Sequence, residues 1–127
     1  MKNRKNKKEN VILYCRVNLI KENNRILIIN QQEDSLRKLC KEKGYKITKI
    51  FTDYNTSRST NSPELEKMKD FAIENAKKLD KVICVGFDRL ARNFEEVLDI
   101  LNYYEALGMK VTSLTHITNT KNITNGE

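Results

Sequence analysis

The 127-residue sequence lacks the residue types on which many small catalytic sites are built. It has one histidine, His116, so a metal site built on several histidines is excluded. Neither a Gly-x-x-x-x-Gly-Lys loop nor a Gly-x-Gly-x-x-Gly turn follows the first apolar run, so the usual nucleotide sites have no support. These absences predict a protein without a metal ion or a nucleotide cofactor.

Long apolar stretches are missing as well. No run approaches the roughly 20 residues of a membrane span, and the basic start leads into a short strand-like run without a secretory apolar region. The three cysteines, Cys15, Cys40 and Cys84, form no Cys-x-x-Cys pair and are odd in number. We therefore predict a cytoplasmic protein with reduced core thiols and no membrane partner.

Positive charge is in excess and partly concentrated at the start of the chain. Lysine and arginine number 24 against 17 aspartates and glutamates, and residues 1–9 hold five cations and one acid. We predict a basic disordered tail over residues 1–10 and a single domain over residues 11–127. Such a tail suits phosphate backbones or anionic surfaces, and it suits a solubilising role equally well; charge alone does not decide between them.

Strand-like and helix-like patterns alternate along the chain. Asn93 is expected to cap the last helix, with Glu96 three positions on, and Gly44 and Gly108 are expected to end helices. The predicted strands are 11–17, 45–53, 81–87 and 109–114, and the predicted helices run from about 30 to 43, from 63 to about 78 and from 94 to 107. This order predicts an α/β fold, a three-layer sandwich with a mainly parallel sheet of four to five strands.

Arginines stand at the ends of two predicted strands. Arg16 closes the first strand, and Arg89 and Arg92 follow the third, beside Asp88. Because ligands gather at the carboxyl ends of parallel strands, these guanidinium groups can converge on one anion such as a phosphate. The alternative, that they are surface cations with Asp88 as a cap or an ion-pair partner, remains open on spacing alone.

The order and spacing of several motifs resemble the catalytic domain of the serine recombinase (resolvase/invertase) family. The match spans roughly residues 11–126, and its specific part is the Asp-Arg-Leu-Ala-Arg-Asn block at 88–93. The other matching residues are Tyr-Cys-Arg-Val at 14–17, Gln32, Asp53, Ser57 and Pro-Glu-Leu at 63–65. The resemblance implies the resolvase-like α/β sandwich of that domain.

The resemblance also implies an activity and partners. In the family this domain cuts both DNA strands by serine attack on phosphate, forms a 5′-phosphoserine link and rejoins exchanged ends within a tetramer, without a metal or a nucleotide. It implies DNA as a partner and a dimer or tetramer of the full-length protein. In the family a dimerisation helix and a separate DNA-binding domain follow, and we expect both to be absent from this sequence.

Carried onto this sequence, the resemblance assigns roles to individual residues. Arg16, Arg89 and Arg92 match the phosphate-binding arginines, Asp88 matches their neighbouring acid, and Gln32 matches the glutamine beside the site. The expected catalytic positions are Arg16, Asn18, Asp88, Arg89 and Arg92, and the expected DNA or phosphate contacts are Gln32, Ser57, Arg58 and the same three arginines.

Two departures from the family pattern bear on the activity. Asn18 stands where the family has its nucleophilic serine, and a carboxamide cannot attack phosphorus as an alkoxide does. Ser62 stands where the family often has an arginine, and Arg58 is a candidate to replace some of that charge. The sequence predicts a site-specific DNA recombinase catalytic domain whose cleavage activity is in question. The alternatives are a catalytically dead DNA-binding or oligomerisation module of the same fold and an unrelated α/β phosphate-binding domain.

Overall fold

Strands and helices alternate through the residues that the structure, a computed structural model, describes: 8–17, 22–54, 62–91 and 93–115. Within those ranges the strands are β1 (Asn10–Arg16), β2 (Lys46–Asp53), β3 (Lys81–Cys84) and β4 (Lys110–Ser113). The α-helices are α1 (Glu22–Lys43), α2 (Pro63–Glu74) and α3 (Phe94–Ala106), and a 3-10 turn (Phe87–Arg89) follows β3. The predicted order of strands and helices is confirmed.

The four strands form one sheet in which every neighbouring pair is parallel. Their order is β2-β1-β3-β4, so β1 and β3 flank the point where the direction of progress across the sheet reverses. Crevices that hold ligands form beyond the carboxyl ends of the strands at such a point. The predicted α/β fold with a mainly parallel sheet is confirmed, and its topology places a candidate site beyond Arg16 and Cys84.

Two buried clusters, one on each face of the sheet, create the three layers. Side chains alternate along β1, so that Ile12 and Tyr14 belong to one cluster while Leu13 and Cys15 belong to the other. Helices α2 and α3 complete the first cluster, and α1 completes the second through residues such as Leu36. Because β1 is buried on both faces, it requires the near-continuous apolar sequence that it has.

Helix α1 begins well before the predicted start near residue 30, and that prediction is wrong. The preceding residues from Ile26 to Ile29 form a contiguous apolar run without helical spacing. In the helix Ile29 is 1% exposed, whereas Ile26 and Leu27 are 51% and 55% exposed. The run therefore covers both the buried and the exposed side of the helix, which is why periodicity does not reveal it.

Two other element ends differ from the prediction for local reasons. Helix α2 stops at Glu74 rather than near residue 78, because Asn75 turns the chain: its side-chain amide donates to the Phe71 carbonyl oxygen at 2.8 Å, and its backbone N–H donates to the same oxygen at 3.0 Å. Strand β3 stops at Cys84 rather than at residue 87, because the chain there turns into the 3-10 helix. Both differences shorten an element without altering the fold.

The predicted helix signals of α1 and α3 are confirmed at their ends. Asn93 Oδ1 accepts a hydrogen bond from the Glu96 N–H at 2.9 Å and so caps α3. Gly44 and Gly108 have φ angles of 76° and 87°, the left-handed conformation that glycine adopts readily after a helix. The chain therefore turns sharply from each helix into the following strand.

The three cysteines are free and buried, as predicted. Burial raises the pKa of the Cys15 thiol and of the Cys84 thiol to about 12, so both thiols stay protonated at neutral pH. The helices of the described residues include none that is both long enough and apolar enough to cross a membrane.

Candidate phosphate-binding site

Arg16 and Arg89 lie together at the carboxyl edge of the sheet. Arg16 is the last residue of β1, and Arg89 ends the 3-10 turn that follows β3. The Arg89 Nη1 group donates a hydrogen bond to the Arg16 carbonyl oxygen at 3.4 Å. The structure therefore brings two of the predicted phosphate-binding arginines to one place, where the strand order reverses.

The Arg16 side chain is buried although it carries a charge. Arg16 is only 4% exposed, and its Nε atom has no hydrogen-bond partner within the described part of the chain. The buried Nε atom of Arg89 is in the same state, again judged among the described residues. Burying a charged donor without an acceptor is costly, so both guanidinium groups favour an anion that accepts their hydrogen bonds.

Gln32 of α1 reaches the backbone of Arg16 from the face of the sheet that α1 covers. Its Nε2 donates to the Arg16 carbonyl oxygen at 2.8 Å, and its Oε1 accepts from the Arg16 N–H at 3.2 Å. The β1–β3 register ends at the pair of Tyr14 and Cys84, so this peptide group lies beyond the partner strand. Gln32 is buried and supplies the hydrogen bonds that the strand does not. Its predicted contact with phosphate stays a prediction.

Asp53, the last residue of β2, fixes the start of α2. It is 1% exposed and lies opposite Arg16 in the β1–β2 register. Its carboxylate accepts hydrogen bonds from the N–H groups of Glu64 at 3.0 Å and Leu65 at 3.2 Å, and from the Tyr14 hydroxyl at 2.6 Å. Burial, reinforced by Asp53, raises the pKa of Tyr14, so its hydroxyl stays protonated and donates. The carboxylate also balances the positive end of α2.

Sequence reasoning missed this role of Asp53 and identified it only as one of the residues that match the serine recombinase pattern. Capping patterns in a sequence join residues within one helical turn, whereas Asp53 and Glu64 are 11 positions apart. Ser62, at the N-cap position itself, makes no side-chain hydrogen bond to the described residues of α2. It is 8% exposed and lies close enough to Tyr14 to lower the pKa of that hydroxyl, against the larger effect of burial. Ser62 is therefore part of the buried support of the site.

Asp88 stands on the exposed side of the site. Its side chain is 78% exposed, and its Oδ2 lies 3.8 Å from Arg89 Nε, an ion-pair distance that is too long for a hydrogen bond. Gly86 makes room for this carboxylate, since a Cβ atom at that position would lie 2.5 Å from Asp88 Oδ1. An exposed pair at this distance is weak, so Arg89 keeps most of its capacity to bind another anion.

The remaining predicted site residues, Asn18, Ser57, Arg58 and Arg92, lie outside the described residues, and so do His116 and residues 1–7 of the basic tail. Their assigned roles rest on the sequence. Among the residues that are described, no three His, Cys, Asp or Glu side chains are grouped so as to hold a metal ion.

Known proteins are similar to this chain over most of its length. The family described as Resolvase, N terminal domain, matches residues 11–126. The Transposon Tn552 resolvase of Staphylococcus aureus is 32% identical over 100 residues, which cover 78% of this chain and 46% of that protein. The chain thus spans less than half the length of this curated relative.

Solved structures share the fold. The N-terminal catalytic domain of TP901-1 integrase is similar with a TM-score of 0.71 at 25% identity, over 84% of this chain and 78% of that one. A resolvase family site-specific recombinase from Streptococcus pneumoniae has a TM-score of 0.74 at 20% identity, over 85% and 73% of the two chains, and at that identity it bears on the fold alone. Since the family match covers nearly the whole chain and a relative shares almost a third of its residues, the chain belongs to the resolvase family of serine recombinases.

Proposed function

We propose that this chain is the catalytic domain of a site-specific DNA recombinase and that Arg16 and Arg89 bind a DNA phosphate. The observation that carries the proposal is the contact of the Arg89 guanidinium with the Arg16 carbonyl oxygen at one sheet edge, together with a buried Nε on each arginine that has no hydrogen-bond partner among the described residues. Arginine presents a planar fork of donors that matches the oxygens of a phosphate. Membership of the resolvase family supports DNA as the source of that phosphate.

The same groups suit phosphoryl transfer as well as binding. Negative charge spreads over the phosphoryl oxygens in the transition state, and guanidinium groups that are already fixed stabilise it without reorganising. Asp88 lies 3.8 Å from Arg89 Nε, and this weak ion pair leaves Arg89 able to bind a phosphate. On the sequence alone we include Arg92, Ser57 and Arg58 as further DNA contacts.

The proposal is tested by the salt dependence of binding to a short fluorescent DNA duplex. Each cation that leaves a phosphate contact lowers the slope of log affinity against log salt by roughly one. Arg16→Ala and Arg89→Ala are each expected to lower the slope by that amount. Arg37→Ala is the control, because Arg37 is an exposed residue of α1 that pairs with Glu33. Slopes that stay unchanged in both site variants would exclude a shared phosphate site.

Asn18 leads us to propose that the chain holds DNA without cutting it. In serine attack the hydroxyl oxygen bonds to phosphorus, its proton is lost, and the 3′-oxygen of the DNA leaves with the electron pair, which gives a 5′-phosphoserine. The carboxamide of Asn18 offers no such hydroxyl. Asn18→Ser is therefore expected to form a protein–DNA adduct that survives denaturation, whereas the native sequence and Asn18→Ala form none.

A second candidate is a DNA-binding or oligomerisation module whose cleavage activity is not restored by a serine at position 18. Asn18 favours this candidate as well. It requires that Asn18→Ser, although folded and bound to DNA, leaves no adduct on a denaturing gel.

We further propose that the protein acts on DNA in the cytoplasm and that its subunits associate as a dimer or a tetramer. Analytical ultracentrifugation with and without a DNA duplex checks the association, and a monomer under both conditions would contradict it.

A further inference from the structure

The carbonyl oxygen of Arg16 joins three elements of the fold. It accepts hydrogen bonds from Gln32 Nε2 of α1 at 2.8 Å and from Arg89 Nη1 of the 3-10 turn at 3.4 Å. The N–H group of Arg16 donates to the other end of the Gln32 side-chain amide at 3.2 Å. One peptide position at the end of β1 therefore anchors both described arginines of the site.

The position needs such an anchor because the sheet does not supply one. The β1–β3 register ends two residues before Arg16, and a buried peptide group without a hydrogen-bond partner destabilises the fold. A glutamine amide carries one acceptor and one donor group on a planar unit, as a neighbouring strand would. Gln32 is 6% exposed and uses both ends of its amide on this one residue.

We infer that Gln32 is a positioning residue that acts on phosphate through Arg16 and, by way of the shared carbonyl oxygen, through Arg89. The inference rests on the proposed phosphate site and gives Gln32 a role in it other than direct contact. Holding the Arg16 backbone fixes the point from which the buried Arg16 side chain extends. Holding the Arg16 carbonyl oxygen fixes the position of the Arg89 Nη1 group that donates to it. Misplacement of such groups by about 1 Å is enough to weaken their action strongly.

The test is a mutant cycle on affinity for a fluorescent DNA duplex at constant salt. Gln32→Met keeps the length of the side chain and removes both hydrogen bonds, and we expect it to weaken binding about tenfold. In the Arg16→Ala/Arg89→Ala background the same substitution is expected to have no effect on binding, because the groups through which it acts are gone. Gln31→Met, on the exposed neighbour in α1, is the control and is expected to leave affinity unchanged in both backgrounds.

A stability measurement separates positioning from a merely structural role. Gln32 bonds the backbone of Arg16, which persists in Arg16→Ala, so its contribution to the urea midpoint should be the same in both backgrounds while its contribution to binding disappears in one. Gln32→Glu provides a second variant should Gln32→Met not fold. It can still accept from the Arg16 N–H but cannot donate to the carbonyl oxygen.

Three outcomes would overturn the inference. A loss of affinity on Gln32→Met that persists in the double-alanine background would mean that Gln32 touches DNA itself. Unchanged affinity of the folded Gln32 variants in the native background would mean that it has no role in binding. Failure of the proposed function is distinguishable, because it would appear as unchanged salt slopes for the arginine variants themselves, whatever is substituted at position 32.

Discussion

Two buried tyrosine hydroxyls in one apolar cluster have opposite hydrogen-bonding states. Tyr14 donates to Asp53 at 2.6 Å, whereas the Tyr104 hydroxyl is buried with no hydrogen-bond partner among the described residues. A buried hydroxyl that lost its water without gaining a partner destabilises the fold, and a paired one supports it. The same chemical change at the two positions should therefore have opposite effects.

Tyr104→Phe is expected to raise the free energy of unfolding by about 1 kcal/mol, because it removes an unpaired buried polar group. Tyr14→Phe is expected to lower it by about 2 kcal/mol, because Asp53 then lacks one of its donors. Urea unfolding followed by circular dichroism measures both, with Tyr54→Phe, at an exposed tyrosine, as the control. Changes of the same sign in the two buried variants would contradict this assignment.

Helix α2 depends on another element for the hydrogen bonds of its first turn. Asp53 of β2 accepts from the N–H groups of Glu64 and Leu65. Asp53→Asn keeps the shape of the side chain but removes the charge that balances the helix end and can turn an amide N–H₂ toward a donor. We expect the free energy of unfolding to fall by about 2 kcal/mol. Amide hydrogen exchange at positions 64 and 65 should become faster.

The matched control lies at the start of α3. Asn93→Asp replaces one good capping residue by another, so stability should stay within about 0.5 kcal/mol of the native value. Exchange at positions 64 and 65 that is as slow in Asp53→Asn as in the native protein would show that the first turn of α2 does not need this carboxylate.

Helix ends are predictable from sequence where their cause is local. Asn93 with Glu96, and Gly108 after α3, act within a few residues, and the structure confirms both. The start of α1 has no such signal, because its apolar residues lie on buried and exposed sides alike. The support of α2 by Asp53 has none either, because it depends on which strand end the folded chain brings beside the helix.

At the scale of the whole molecule, strand order turns separate motifs into one site. Arg16 and Arg89 are predictable as a pair, because both follow strands of a parallel sheet and such ends share an edge. Which strands are neighbours is a tertiary property, and only the order β2-β1-β3-β4 sets β1 beside β3. The contact of Gln32 with Arg16 depends in addition on how α1 packs on that sheet. The sequence therefore identifies Gln32 as a residue near the site but does not reveal its hydrogen bonds.

The whole fold should lose stability in alkaline solution. In an unfolded chain a thiol ionises at about pH 8.5, whereas burial raises the pKa of Cys15 and of Cys84 to about 12 in the folded protein. As the pH rises through this interval the unfolded state gives up protons that the folded state keeps, so the free energy of unfolding falls. The contribution is fully present below about pH 8.5 and declines by roughly 1 kcal/mol per pH unit for each thiol above it.

Urea unfolding between about pH 8 and about pH 11 measures this decline. The Cys15→Ala/Cys84→Ala protein should show a distinctly shallower fall, and its slope is the quantity to compare, because truncation in two packed clusters also changes the absolute stability. Cys40→Ala, at a thiol whose pKa burial also raises, is expected to flatten the fall less, since Cys40 is near the end of α1 rather than in the central strands. A slope in the double variant equal to that of the native protein would mean that these thiols ionise alike in both states and are not closed off from water by the fold.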